Sequence, residues 1–569
     1  KIDYLPTEVI SAKPALSGLK KECLMLVDSS DEYSADYLKE MRFVLDSMSV
    51  GYDEIDVTKS DIPSFEKYET VALMVPDFSM LGNSLLPMFE WANNGGKLFN
   101  VQPLDPTPIT NTMMTHLGIE ESRGVFTKIG GLKMNTDFMI GSKDFEYIWN
   151  EEDIMVISLR LTLTKNNIVN VESDNRIPLL WEHQYGKGTV VVNNLGLSGR
   201  DSRGYFAAAY SLLQDAFAYP VINSSAFFID DFPAPVPRGY NEYITKFYNR
   251  DVESFFVNVW WPDMIDFAKR YGITYTGVLV EDYTDKTTAP FVRNADVSRF
   301  TSFGNTLLNM GGEIGYHGYS HQPLCYGEFD FMGKVKYNTW GTVEDSLLAF
   351  NEMADFGAQM FPENTFSTYV PPSNILSKEG RDMLITNFPQ IKILSGLYQV
   401  EDYEFQQEFD ISDDGIINVP RVISGTEIKG YEKWIALNEL NFHYVNTHFF
   451  HPDDVLDIDR GAERGWSTTL SQFEEYVSWL YDVAPNIRNQ TASDAGKAVQ
   501  RYDSVTVQRT LKDNRLIIDI NNFYDSSYLV VRIKDGKPGA VSGGSLEEVA
   551  TGLYILSATS GTVEIEIVR

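Results

Sequence analysis

The sequence predicts an α/β protein centred on a seven-stranded, TIM-like (β/α) barrel, with a parallel-sheet domain before it and a small β-sandwich after it. Three observations carry this. At 569 residues the chain is too long for a single hydrophobic core. Strand-like and helix-like segments alternate through most of it. From about residue 501 the hydrophobic period changes to two. The expected boundaries are 1–220, 221–500 and 501–569.

In the first region KECLMLVDSS reads as a buried strand ending in turn residues. Tyr37, Met41, Val44, Leu45 and Met48 then form one helical stripe. TVALMVPD is a second buried strand, Leu85 to Trp91 a second helix, and Asn94-Gly95-Gly96 punctuates the chain before KLFNV. Alternating strands and helices imply a parallel sheet with helices on its faces. RIPLLWEHQYGKGTVVVNNLG reads as two strands joined at Gly-Lys-Gly. In layout, and in that turn, the region resembles flavodoxin-like, glutamine-amidotransferase-like domains. Its only cysteine, Cys23, begins the first strand instead of occupying the nucleophile position, so a scaffold or ligand-binding role is expected.

The second region carries seven strand-like segments: SSAFFIDDF, TYTGVLVED, EIGYHGYSH, TFSTYVPPSN, IKILSGLY, INVPRVISG and FHYVNTHFFHPDD. Helical stretches such as PDMIDFAKRYG, VEDSLLAFNEMADFGAQMF and SKEGRDMLITNF lie between most of them. In barrels of this kind the chemistry sits at the carboxyl ends of the strands. Polar residues gather there: Asp230-Asp231, His317 to His321, Ser373-Asn374 and His448 to Asp454. In the third region Leu516, Ile518 and Ile520, and later Val563, Ile565 and Ile567, alternate with polar residues, as an antiparallel sandwich requires.

Charge narrows the partners. With 80 acidic and 47 basic residues the formal charge is −33, unsuited to nucleic acid, whose binding needs Lys and Arg against phosphate. A neutral polymer, or one that becomes cationic as it reacts, fits better. Two cysteines, Cys23 and Cys325, make neither a disulfide framework nor a metal motif and are expected as free, buried thiols. No apolar run is long enough to span a membrane. The chain opens on Lys1 without Met, which reads as a trimmed or mature chain.

Three short motifs carry the chemistry. In HGYSH, His317 and His321 stand four apart beside a strand end and can offer two imidazole nitrogens to one metal. Adjacent residues in a regular strand point to opposite faces, so Asp230 and Asp231 share a site only if the chain turns there, and Pro233 follows closely enough to end the ladder. A solvated, helix-capping turn is the alternative. THFFHPDD supplies His448 and His451, of which one is expected to reach the centre of the rim and the other to serve the core.

Together these motifs resemble the NodB-like polysaccharide deacetylases, carbohydrate esterase family 4 and its relatives, over roughly residues 221–455. FIDDF matches the first motif, HGYSH the second (with Gly318 where Ser or Thr is usual) and HFFHP the last. The variants FIDDFPAP, PPSN and FHPDD look closest to the distant branch linked to Pel-type and galactosaminogalactan exopolysaccharides. The family's Arg-x-Pro is absent from TYVPPSN, where Tyr369 and Pro371 keep its outline, and Arg421 is the candidate to replace that arginine across the rim.

The resemblance implies removal of acetyl groups from an N-acetylated amino-sugar polymer. Asp231, His317 and His321 would hold a divalent metal, zinc first, and Asp230 would act as general base. His451, oriented by Asp453 or Asp454, is favoured over His448 as the acid, and a backbone N–H near 369–372 would hold the oxyanion. Tyr369, Pro371 and Arg421 are the expected substrate-side residues, and Tyr316, Tyr319, Tyr326, Trp260 and Trp261 are candidates for stacking on sugars. That substrate class implies an extracellular, cell-surface or periplasmic location. Two other readings stand beside it. A glycoside hydrolase would need Asp282 to partner the Asp pair and leaves the histidines without work. A non-catalytic polymer-binding protein would carry a degenerate barrel.

Overall fold

A computed structural model describes residues 3–149, 155–233, 238–399 and 402–569. The chain divides into two compact units. One gathers the residues up to Thr7 with Asn223–Ile428 and Val445–Asp503; the other gathers Glu8–Ile222, Lys429–Tyr444 and Ser504–Arg569.

The first unit is built on a curled sheet of eight strands, with every pair parallel. These are β1 (Ser224–Phe232), β2 (Tyr275–Val280), β3 (Glu313–Gly318), β4 (Thr368–Tyr369), β5 (Ile393–Leu394), β6 (Ile417–Asn418), β7 (Ile423–Ser424) and β8 (Val445–Phe450). Their order is β6-β5-β4-β3-β2-β1-β8-β7. Strands β2 and β8 are buried along their whole length, as a parallel sheet covered on both faces demands. Helices Trp261–Tyr271, Val343–Met360 and Lys378–Asn387 fall where the 3.6-residue period places them.

The expected sixth strand is two short strands, and they lie at opposite ends of the sheet order. The change of partner falls one residue past Pro420, between Arg421 and Val422. Val419 N–H donates to Leu394 O at 3.1 Å and Arg421 N–H to Gly396 O at 3.0 Å; Val422 N–H then donates to Thr447 O at 3.0 Å. The segment thus leaves one neighbour for the other, and both edges of the curled sheet fall within Ile417 to Ser424.

The second unit holds a nine-stranded mixed sheet. Gly51–Asp56, Lys21–Val27, Thr70–Met74, Lys97–Asn100 and Gly188–Asn193 run parallel in that spatial order. Pro178–Tyr185 then pairs antiparallel with Gly188–Asn193 across the Gly-Lys-Gly turn. Cys23 and Cys325 are free and buried. The period-two strands form two four-stranded sheets whose inner faces carry Val507, Leu516, Ile518, Ile520, Leu529, Val531, Val563 and Ile565. One of these sheets takes an edge strand from far earlier in the chain, Ala216–Val221, whose residues are all buried.

Candidate metal centre

Strand β1 enters the site from an apolar run, and Asp230 at its end is 1% exposed. Asp231 has φ +55°, and the register with β2 shifts between Ile229 and Phe232. A non-glycine residue at positive φ is uncommon, and such conformations gather at functional sites. Here it cancels the alternation of the strand. Asp230 reaches Arg421 and His451, while Asp231 reaches His317 and His321.

His317 lies near the end of β3. Its Nδ1–H donates to Val370 O at 2.7 Å, which leaves the Nε2 lone pair facing Asp231. Gly318 has φ +124°, a conformation other residues rarely adopt, which accounts for the glycine at this position. The chain then turns, and His321 (φ +52°) brings its Nε2 to 3.2 Å from Asp231 Oδ1; His317 Nε2 lies at 3.3 Å from the same oxygen.

Ligand-type atoms of Asp231, His317 and His321 all lie within 4.8 Å of one another. Despite their proximity, Asp231 Oδ1 and His317 Nε2 are buried with no hydrogen-bond partner. Unpartnered buried polar atoms are costly, and here they converge on one point. A cation would satisfy both. Two imidazoles and one carboxylate are also the donor set of a zinc site with open positions, so the residues fit a divalent metal. Burial alone would raise the Asp231 pKa, but His321 and His317 outweigh it and hold the carboxyl well below the usual range.

Asp230 is clamped. Arg421 Nη1 donates to both its oxygens at 2.6 Å, and Arg421 Nη2 donates to Asn374 Oδ1 at 2.7 Å. The guanidinium lies 3.9 Å from the centre of the Phe449 ring. Burial works against the Asp230 charge, yet Arg421, His317 and His451 together bring its pKa below the ordinary value. His451 Nε2 stands 3.7 Å from Asp230 Oδ2, and its Nδ1 3.7 Å from Asp454 Oδ1. Asp454 is itself held by the His451 N–H at 3.1 Å and by Arg460 at 2.8 Å, so it both caps the turn Pro452–Leu456 and sits behind the imidazole.

The structure therefore brings together Asp230, Asp231, His317, His321, Arg421 and His451. His448 is elsewhere. Alternation along β8 turns Phe449 toward Arg421 and His448 toward Phe473 and Tyr476 of the helix Trp466–Val483. Its Nε2 hydrogen-bonds the Gly425 carbonyl, and burial lowers its pKa to about 4. An unfolded chain takes up this proton below about 6.5. The folded chain does so only below about 4, so stability falls as pH drops between the two values. The cost is about 3 kcal/mol over that window. His448→Phe is expected to flatten this part of the acid limb, read as the urea midpoint at pH 7 and pH 4.5; an unchanged slope would refute the assignment.

Tyr369 is fully buried against Phe350 of the helix Val343–Met360. The TYVPPSN segment acts through Val370 O and Asn374, with buried Pro371 leading into the turn Pro372–Asn374. Oxyanion donors are scarce there, because Val370 N–H bonds Tyr316 O and Pro371 and Pro372 have none. Trp260, Trp261, Tyr316 and Tyr319 are core residues. The rings beside His321 are instead Tyr283, at 6.4 Å between centroids and nearly parallel, and Tyr337, at 5.9 Å. Both sit on loops without periodicity, where sequence gives no signal. Asp282 is engaged locally, accepting from Tyr283 N–H and Thr284 Oγ1 at 2.7 Å each.

Fold and site define a mixed α/β protein with a partly buried Asp-His-His cluster at the carboxyl ends of a curled parallel sheet. The family model described as an uncharacterised protein conserved in bacteria (DUF2194) matches residues 9–164 and 143–555, and the chain belongs to that family. No curated protein matches it. Among solved structures it is similar to the exo-beta-1,4-mannosidase Op5Man5 from Opitutaceae bacterium strain TAV5, at 14% identity and a TM-score of 0.26, over 35% of this chain and 37% of that one. It is also similar to a beta-galactosidase from Bacillus circulans sp. alkalophilus, at 12% identity and a TM-score of 0.26, over 36% and 34%. The chain thus spans little more than a third of either enzyme, and at these values neither likeness bears on function.

Proposed function

We propose that this chain is a metal-dependent hydrolase that removes acetyl groups from an N-acetylated amino-sugar polymer, in the manner of the NodB-like polysaccharide deacetylases, on a seven-membered (β/α) barrel closed through Ile417–Ser424. The observation that carries the reading is the convergence of Asp231 and His317, with their unsatisfied buried atoms, on His321 beside an arginine-clamped Asp230.

Asp231, His317 and His321 would hold the metal, zinc first. Bound there, the cation would polarise the acetyl carbonyl and acidify a water. Asp230 takes the proton from the attacking water; Arg421 keeps the carboxylate ionised and fixes its orientation. His451 delivers a proton to the nitrogen of the leaving amine, with Asp454 positioned behind its Nδ1. The clamp by Arg421 supplies what a barrel without the family's usual arginine lacks, and it favours an active enzyme over a degenerate one. A polymer substrate places the protein outside the cytoplasm, at the cell surface or in the periplasm.

Acetate release from acetylated glucosamine and galactosamine oligomers is the test. Activity should vanish on chelation and return with zinc. Failure to release acetate with zinc, manganese, cobalt or nickel on either oligomer would end the deacetylase reading.

A further inference from the structure

Between β3 and the helix Val343–Met360 the chain forms a long loop fixed at its base. Gln322 Oε1 accepts Asn338 N–H at 2.9 Å, Trp340 Nε1–H donates to Pro323 O at 3.0 Å, and Asn338 Nδ2–H donates to Asp285 O at 2.7 Å. Trp340, Leu324 and Cys325 are buried beneath it. Above this base Phe329, Phe331 and Tyr337 remain half-buried. Half-buried rings gathered together leave an apolar patch, and such patches mark binding surfaces.

Each ring neighbours the next. Tyr283 lies 6.4 Å from His321, His321 5.9 Å from Tyr337, Tyr337 6.1 Å from Phe331, and Phe331 4.9 Å from Phe329, centroid to centroid. Each step is comparable to the width of one pyranose ring, and the series passes through a residue of the candidate metal centre. The Tyr337 hydroxyl is tied to Ser373 Oγ, which fixes its ring against the turn that also delivers Asn374. Exposed Glu328 and Asp330 are offset by exposed Lys334 and Lys336, so the loop selects neither an anion nor a cation. Flat apolar faces without net charge suit neutral rings that are apolar on their faces and polar at their edges, which is the chemistry of a sugar chain.

We propose that Tyr283, Tyr337, Phe331 and Phe329 form a row of sugar-binding positions leading away from His321, so that the protein engages several consecutive units of a neutral amino-sugar chain. The identity of the sugar rests on the deacetylase reading; the row itself rests on the rings.

The test is titration calorimetry of the full chain, after chelation, with N-acetylglucosamine dimers and pentamers. Affinity should rise at least roughly tenfold from dimer to pentamer. Phe329→Ala/Phe331→Ala should remove most of that rise while zinc uptake by the folded protein persists. Phe329→Tyr/Phe331→Tyr should keep it, which ties the loss to the missing rings. Equal affinity for dimer and pentamer in the wild type, or a pentamer bound as tightly by the alanine variant, overturns the proposal. The two readings fail separately. Length-dependent binding without acetate release would sink the deacetylase and spare the row; acetate release without length dependence would do the reverse.

Discussion

Asp230→Asn is expected to lower acetate release by about 10²–10⁴-fold, the range for losing a general base. Zinc uptake should be unaffected, because the atoms that converge as ligands belong to Asp231, His317 and His321. The amide keeps the shape of the carboxylate and an oxygen for Arg421, but it cannot take a proton at neutral pH. The loss should fall on kcat, with KM for an oligomer little changed, because the interaction removed is one made in the transition state. A decrease smaller than tenfold would assign the proton to another group.

Arg421→Met should destabilise the protein by about 3–5 kcal/mol, the cost of leaving a buried charge without its partner. Arg421 and Asp230 are 1% exposed each, so bulk solvent does little to offset the lost partner. Lysine would not substitute, because one ammonium cannot bond Asp230 and Asn374 together in the fork geometry that Arg421 uses. The double variant Asp230→Asn/Arg421→Met should recover much of the stability, since neither charge is then stranded, while remaining inactive. Chemical denaturation of the two single variants and the double variant measures this. A double variant no more stable than Arg421→Met would show that the arginine acts through packing on Phe449 instead of through Asp230.

Much of this site was legible in the sequence because its residues are tied to strand ends. Asp230-Asp231, HGYSH and the HFFHP ending each follow a strand-like run, and the parallel topology brings such ends to one rim. Arg421 was reachable by the same logic. What was hidden had other causes. His448 lies within β8 and His451 one residue past its end, and alternation sends His448 to the core once the register is fixed by Phe449 on Arg421. Tyr369 looked like a rim residue because it lies beside the proline pair, yet it faces Phe350. Tyr283 and Tyr337 come from loops, whose course is set by anchors such as Asn338 on Gln322, and no periodicity encodes those. The split of INVPRVISG is a change of partner between Arg421 and Val422, which hydrophobic pattern does not encode.

That change of partner has a consequence for how this lineage can vary. Arg421 makes the last backbone bond on the β5 side before Val422 turns to β8, so the spacing that joins the sheet's edges is also the spacing that aims the guanidinium at Asp230. A single inserted or deleted residue between Ile417 and Ser424 would shift the arginine and the edge pairing in one event. Among homologues, length changes should therefore be absent from 417–424, even where side chains there have drifted.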